Sequence, residues 1–266
     1  MVQVGRVEVI YWPKTEAVAV LMGEAAEAAG PWPGLSSPVF PSRIRLFLPP
    51  SQDIFDSVTQ NRLPPGRSGA AFPSTNTIVL APVPDRRQVL RHEVAHLVLR
   101  NSVGRAPLWF DEGYASRAAG EWGRIDALRV NWFLLTGRAP TFPQLSRDLR
   151  GGPARAASSY ALAITAVLML ERMGGERGLE PLLTAMVEQP SFDLALRKAF
   201  GVTLGQFEML WRKDVKKRYG WLFLFSSFGA LWGGVLIVVG GLWWRRRRRD
   251  MERREQLDEG WILPDE

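Results

Sequence analysis

The sequence predicts an α+β fold: a small sheet early in the chain, then a mostly helical second half, all in one domain. Two observations carry this. Short β-branched or alternating runs lie near the start, at 43–48 and at 75–81, as strands require. From residue 85 onward apolar residues recur at helical spacing between glycine stops, and no internal repeat breaks the order.

The elements follow in order. V-E-V-I-Y within Met1–Tyr11 reads as the first strand. Thr15 caps an Ala- and Glu-rich helix that stops at Gly30, and the prolines of Pro31–Pro41 make a loop. Arg43–Leu48 alternates polar and apolar residues, a strand with one buried face. Ser51 caps a helix reaching Gln60. Asn61–Pro73 is rich in Gly and Pro and reads as a mobile loop. Thr75–Ala81 is the next strand, either at an edge where an extended peptide can pair with it or in the sheet interior. Asp85–Arg100 is a helix apolar on most sides, through Val89, Leu90, Val94, Ala95, Leu97, Val98 and Leu99, so it should be buried. A short helix opens near Pro107. Helices follow over Glu121–Thr136, Phe142–Leu149, Ser158–Met173, Gly178–Glu188, Phe192–Phe200 and Thr203–Tyr219.

Composition narrows the function. The length of 266 residues suits one catalytic domain with an appendage, and 46% apolar residues suffice for a core. With no cysteine, neither a disulfide framework nor a thiolate metal site exists. The net charge of +7 comes mostly from scattered arginines with no nucleic-acid module around them, so nucleic acid is not an expected partner.

The chemistry concentrates between Arg91 and Ala115, in R-H-E-V-A-H followed by P-L-W-F-D-E-G-Y-A. His92 and His96 are four apart, so a helix stacks them on one face, where two imidazoles can meet one metal ion. Glu93 can reach a water on that ion, which completes H-E-x-x-H. The chain's only two histidines lie in this motif. A catalytic zinc site uses three protein ligands and an open position. With no other histidine and no cysteine, the third ligand must be a carboxylate, and Glu112 is the best placed.

These two segments resemble the peptidase MA-like domain of gluzincin-type zinc metallopeptidases, which pair H-E-x-x-H with a downstream W-x-x-E-G-x-A helix. The resemblance spans Val7 to Tyr219, with specific motifs only in the two segments. It implies one zinc per chain on His92, His96 and Glu112, with Glu93 as general base in peptide hydrolysis. It favours the peptide-pairing role for Asn76–Leu80, and it makes Tyr160 the favoured oxyanion donor over Tyr114. Asp111 either orients a histidine or is a surface cap, and Trp109 and Phe110 are expected to pack. The spacing from His96 to Glu112 is shorter than in thermolysin-like enzymes and suits the compact MA-like group. From another class, the alternative is a membrane-tethered zinc-binding scaffold without turnover, against which the intact Glu93 argues.

The remaining sequence suggests a membrane segment. Trp221–Trp244 has no charged residue over 24 positions, has tryptophans near both ends and is followed by Arg245–Arg249. That is long enough to span about 30 Å of hydrocarbon. The expected organisation is a metallopeptidase domain over 1–219, a transmembrane helix over 221–244 and a disordered mixed-charge tail over 245–266. The expected location is the cell membrane, single-pass, with the catalytic domain outside. The arginine run outweighs Arg212, Lys213, Lys216, Lys217 and Arg218 before the span. Export would require a leader upstream of Met1. Gly229 and Gly233 have the spacing of a helix-dimer face, which makes a homodimer an expectation too.

Overall fold

Strand alternation sets the sheet. In the computed structural model, which describes residues 1–13, 15–60, 67–136, 139–219, 232–249 and 251, five strands form one sheet. They are β1 (Val2–Val4), β2 (Val7–Tyr11), β3 (Ile44–Leu48), β4 (Gly69–Phe72) and β5 (Thr77–Leu80), in the order β1-β2-β3-β5-β4. The centre, β2-β3-β5, is parallel, and both outer strands are antiparallel. On β3, Ile44, Leu46 and Leu48 point into the main core. Phe47 turns to the other face, under Phe55 of α2 (Gln52–Val58). The sheet is thus apolar on both faces.

The main core lies between the sheet and the helices. Helices α1 (Glu16–Glu27) and α3 (Arg86–Val103) pack on its inner face. Next come α4 (Leu108–Ala119), α5 (Arg124–Thr136), α6 (Phe142–Asp148) and α7 (Pro153–Met173). Then α8 (Glu180–Glu188), α9 (Phe192–Phe200) and α10 (Leu204–Tyr219) complete the unit Met1–Tyr219. Two contacts fix α4. Trp109 stacks flat on Phe142 at 4.1 Å between ring centroids and lies against Phe207, in an aromatic block with Trp211. One turn further along, Gly113 meets α7 so closely that a Cβ would lie 2.6 Å from the Ala163 carbonyl oxygen. Only glycine lets the two helices touch there. Trp109 and Phe110 are fully buried packing residues.

Three expectations change. Part of Asn61–Pro73 is not a loop: Gly69–Phe72 forms β4, while 61–66 lie outside the described residues. Strand β5 is interior, and β4 takes the edge beside α3. Helix α7 begins at Pro153, five residues before the expected start at Ser158, because Pro is well tolerated in a first turn.

The transmembrane helix is the largest correction. Of the expected span Trp221–Trp244, residues 221–231 lie outside the described residues. Among the described residues no helix is long and apolar enough to cross a membrane. Within the unit Gly220–Glu266, residues 232–249 are helical. Arg247 and Arg248 turn their guanidiniums over the Trp243 and Trp244 rings. The fold class is α+β, with no membrane-spanning helix among the described residues, so a single-pass membrane location with an external catalytic domain is not supported. Of the expected dimer pair, Gly229 lies outside the described residues and Gly233 belongs to this helix. Within the expected tail, 245–249 are helical and almost all the rest lies outside the described residues.

Candidate metal centre

A helix turn of 3.6 residues puts His92 and His96 on one face of α3, and their rings lie edge to face with centroids 4.9 Å apart. Helix α4 crosses that face and brings Glu112 between them. Glu112 Oε2 lies 3.5 Å from His92 Nε2 and 3.7 Å from His96 Nε2. One ligand atom from each of the three residues falls within 4.8 Å of the others. Ligand atoms around a tetrahedral ion bonded at about 2.0–2.1 Å sit about 3.3 Å apart, so the spacing fits a small divalent metal. Glu112 Oε2 is buried with no hydrogen-bond partner, as an atom reserved for a metal would be.

Each histidine is braced from behind. His92 Nδ1 donates to Glu121 Oε1 at 3.0 Å, and His96 Nδ1 donates to Asp111 Oδ1 at 3.0 Å. These bonds place the proton on Nδ1 and leave each Nε2 lone pair facing Glu112, which is how outer carboxylates orient metal-binding histidines. Asp111 therefore orients a histidine. Glu121 follows the left-handed Gly120 that ends α4, where its backbone N–H bonds the Ser116 carbonyl. Nothing in its sequence context marks it out.

Electrostatics reflect the crowding of charge in a dry site, where His92, Glu93 and Glu112 are 7%, 5% and 7% exposed. Burial disfavours charge on His92, but Glu121 and Glu112 outweigh it and hold its pKa well above the usual value. His96 behaves likewise: burial opposes its charge, while Asp111 and then Glu112 raise it to about 9. Burial also works against the Glu112 carboxylate, yet the two imidazoles hold it down at about 2. Glu93 goes the other way. Burial raises its carboxyl, and the nearby Glu112 charge adds to that. The two imidazoles pull against this, and the net direction is upward, so the carboxyl takes up a proton more readily than a free one.

Two cavities flank the histidine row. One of about 220 Å³ lies beside His92 and Glu93, walled by Arg67, Gly69, Val89 and Tyr160. The other, of about 520 Å³, lies beside His96 and Asp111, walled by Pro73, Ser74, Arg100, Asn101 and Arg105. Strand β4 runs past the site from the first toward the second. A Cβ on Gly69 would lie 2.7 Å from Glu93 Oε1, so β4 passes as close to the carboxylate as backbone can.

Tyr160 stands on α7 with its ring 6.3 Å from that of His92, under the Arg67 guanidinium. Its hydroxyl is buried and unpartnered, and burial together with the Glu112 charge keeps it protonated. Tyr114, the other candidate donor, is fully buried in the main core. Arg67 also lies 3.7 Å from Glu112 Oε1. Arg67, Gly69 and Glu121 are the site residues that sequence reasoning missed.

No family pattern, characterised protein or solved structure matches the chain. The reading of the centre therefore stands on its own geometry.

Proposed function

We propose that this chain is a zinc-dependent peptidase. The observation that carries the reading is the convergence of two braced Nε2 atoms on an unpartnered Glu112 oxygen, with the buried Glu93 in the same cavity. His92, His96 and Glu112 hold the ion, and their nitrogen and oxygen donors suit zinc. When bound, zinc supplies acidity to a water and polarises a carbonyl oxygen.

The chain's own residues do the rest. Glu93 takes a proton from the attacking water and delivers it to the leaving amine. The Tyr160 hydroxyl donates to the oxygen that gains charge, in a site where burial strengthens that bond. The free edge of β4 pairs with an extended substrate, since among the described strands β4 is bonded only to β5.

Glu93→Gln tests the reading. It keeps the shape and removes the base, so zinc content should stay at one per chain while peptide hydrolysis falls by about 10²–10⁴-fold. Undiminished hydrolysis in that variant would sink the proposal. A wild-type chain that binds zinc yet cleaves no peptide in a broad mixture would favour a zinc-binding scaffold.

A further inference from the structure

The row of His92 and His96 on α3 has a third member. Arg100 is four residues beyond His96, on the same face, and its side chain lines the 520 Å³ cavity. Arg105, on the turn between α3 and α4, lines the same cavity. Neither guanidinium has an ion-pair or hydrogen-bond partner among the described residues. The one carboxylate in the cavity wall, Asp111, is engaged by His96. Arg100 also lies in the last turn of its helix, where a cation complements the helix dipole. That role needs no second arginine and no cavity. Two uncompensated guanidiniums with Ser74 and Asn101 form a pocket for an anion, and the fork geometry of arginine suits a carboxylate.

Resting on the peptidase reading, we propose that Arg100 and Arg105 select acidic peptides by binding an Asp or Glu side chain of the substrate. Position follows from the fold. Four helical residues past His96 correspond to about 6 Å. An extended peptide advances about 3.3 Å per residue. The selected side chain therefore lies about two residues from the scissile bond, on the flank facing Pro73 and Ser74 and not on the flank facing Val89.

The test uses the full chain loaded with zinc and carrying Glu93→Gln, so that peptides bind without turnover. Fluorescein-labelled peptides differ only in Glu, Gln or Lys at each position on both sides of the bond, and anisotropy reads their affinities. Glu should bind about tenfold tighter than Gln at one position, about two residues out on one side only, and Lys weaker than either. Arg100→Gln with Arg105→Gln should abolish the preference at unchanged zinc content, and Arg100→Lys with Arg105→Lys should keep part of it. Equal binding of Glu and Gln peptides at every position would overturn the proposal without either arginine variant being needed. So would a preference that survives loss of both arginines. The two readings fail separately. Acid preference in a protein whose Glu93 form cleaves nothing would leave the pocket and remove the peptidase. Cleavage without acid preference would do the reverse.

Discussion

The surroundings of His92 and those of His96 solve one problem differently. Each imidazole, buried at His92 and mostly buried at His96, is braced through Nδ1 at 3.0 Å and aimed at the same Glu112 oxygen. The His96 brace, Asp111, neighbours Glu112 on α4, so ligand and brace arrive together on one rigid element. The His92 brace, Glu121, comes from the segment after α4 and depends on the left-handed turn at Gly120. The His92 side is a narrow cavity with Glu93, Tyr160 and the glycine edge of β4, fitted for chemistry. The His96 side is wider and cationic, fitted for recognition. On the proposed reading, reaction and selection are divided along one helix face.

The largest effect should come from the residue the two sides share. Glu112→Ala removes the only carboxylate between the imidazoles, so zinc affinity should fall by more than the roughly hundredfold ceiling typical of an outer brace. Titration with a competing chelator measures it, and zinc retained at wild-type affinity would remove Glu112 from the ligand set.

Next come the braces. Asp111→Asn and Glu121→Gln should each weaken zinc by about 10–100-fold. If the rigid placement of Asp111 matters, its loss should cost more than that of Glu121. Equal losses would mean that both segments are equally firm.

The last comparison is in pH. Zinc must displace protons from histidines whose pKa values the carboxylates raise, His96 to about 9. Affinity should therefore climb with pH until it levels off near 9. In the metal-free protein the sign reverses. A raised folded pKa contributes stability that is complete below about 6.5 and is lost as pH rises through about 9. Asp111→Asn should shift both curves toward lower pH, and a zinc affinity flat across this window would contradict the picture.

What could be read in advance follows the same physics. His92, His96, Glu93 and Glu112 were legible because helical spacing is a strict ruler and the chain has no other histidine. Asp111 was half legible: its neighbour position on a helix allowed a second role without requiring it. Strand β4 was hidden because G-A-A-F lacks the β-branched pattern, and its glycine answers to the approach of Glu93 and Val89 rather than to strand preference. Glu121 and Arg67 act over 29 and 45 positions of sequence, respectively, and no local period encodes such a reach. Of the apolar run over 221–244, only 232–244 lie among the described residues, and no helix there is long and apolar enough to cross a membrane.

The contact at Gly113 has a consequence for how the site can vary. Glu112 is its immediate neighbour on α4, and the surface it presses against, Ala163 and Val167, belongs to the helix that carries Tyr160. The ligand and the hydroxyl are therefore mounted on the two leaves of one hinge whose pin is a missing methyl group. Any side chain at 113 would prise the leaves apart and disturb the proposed metal grip and oxyanion support together, so drift at this position would show itself as two defects that rise and fall in step.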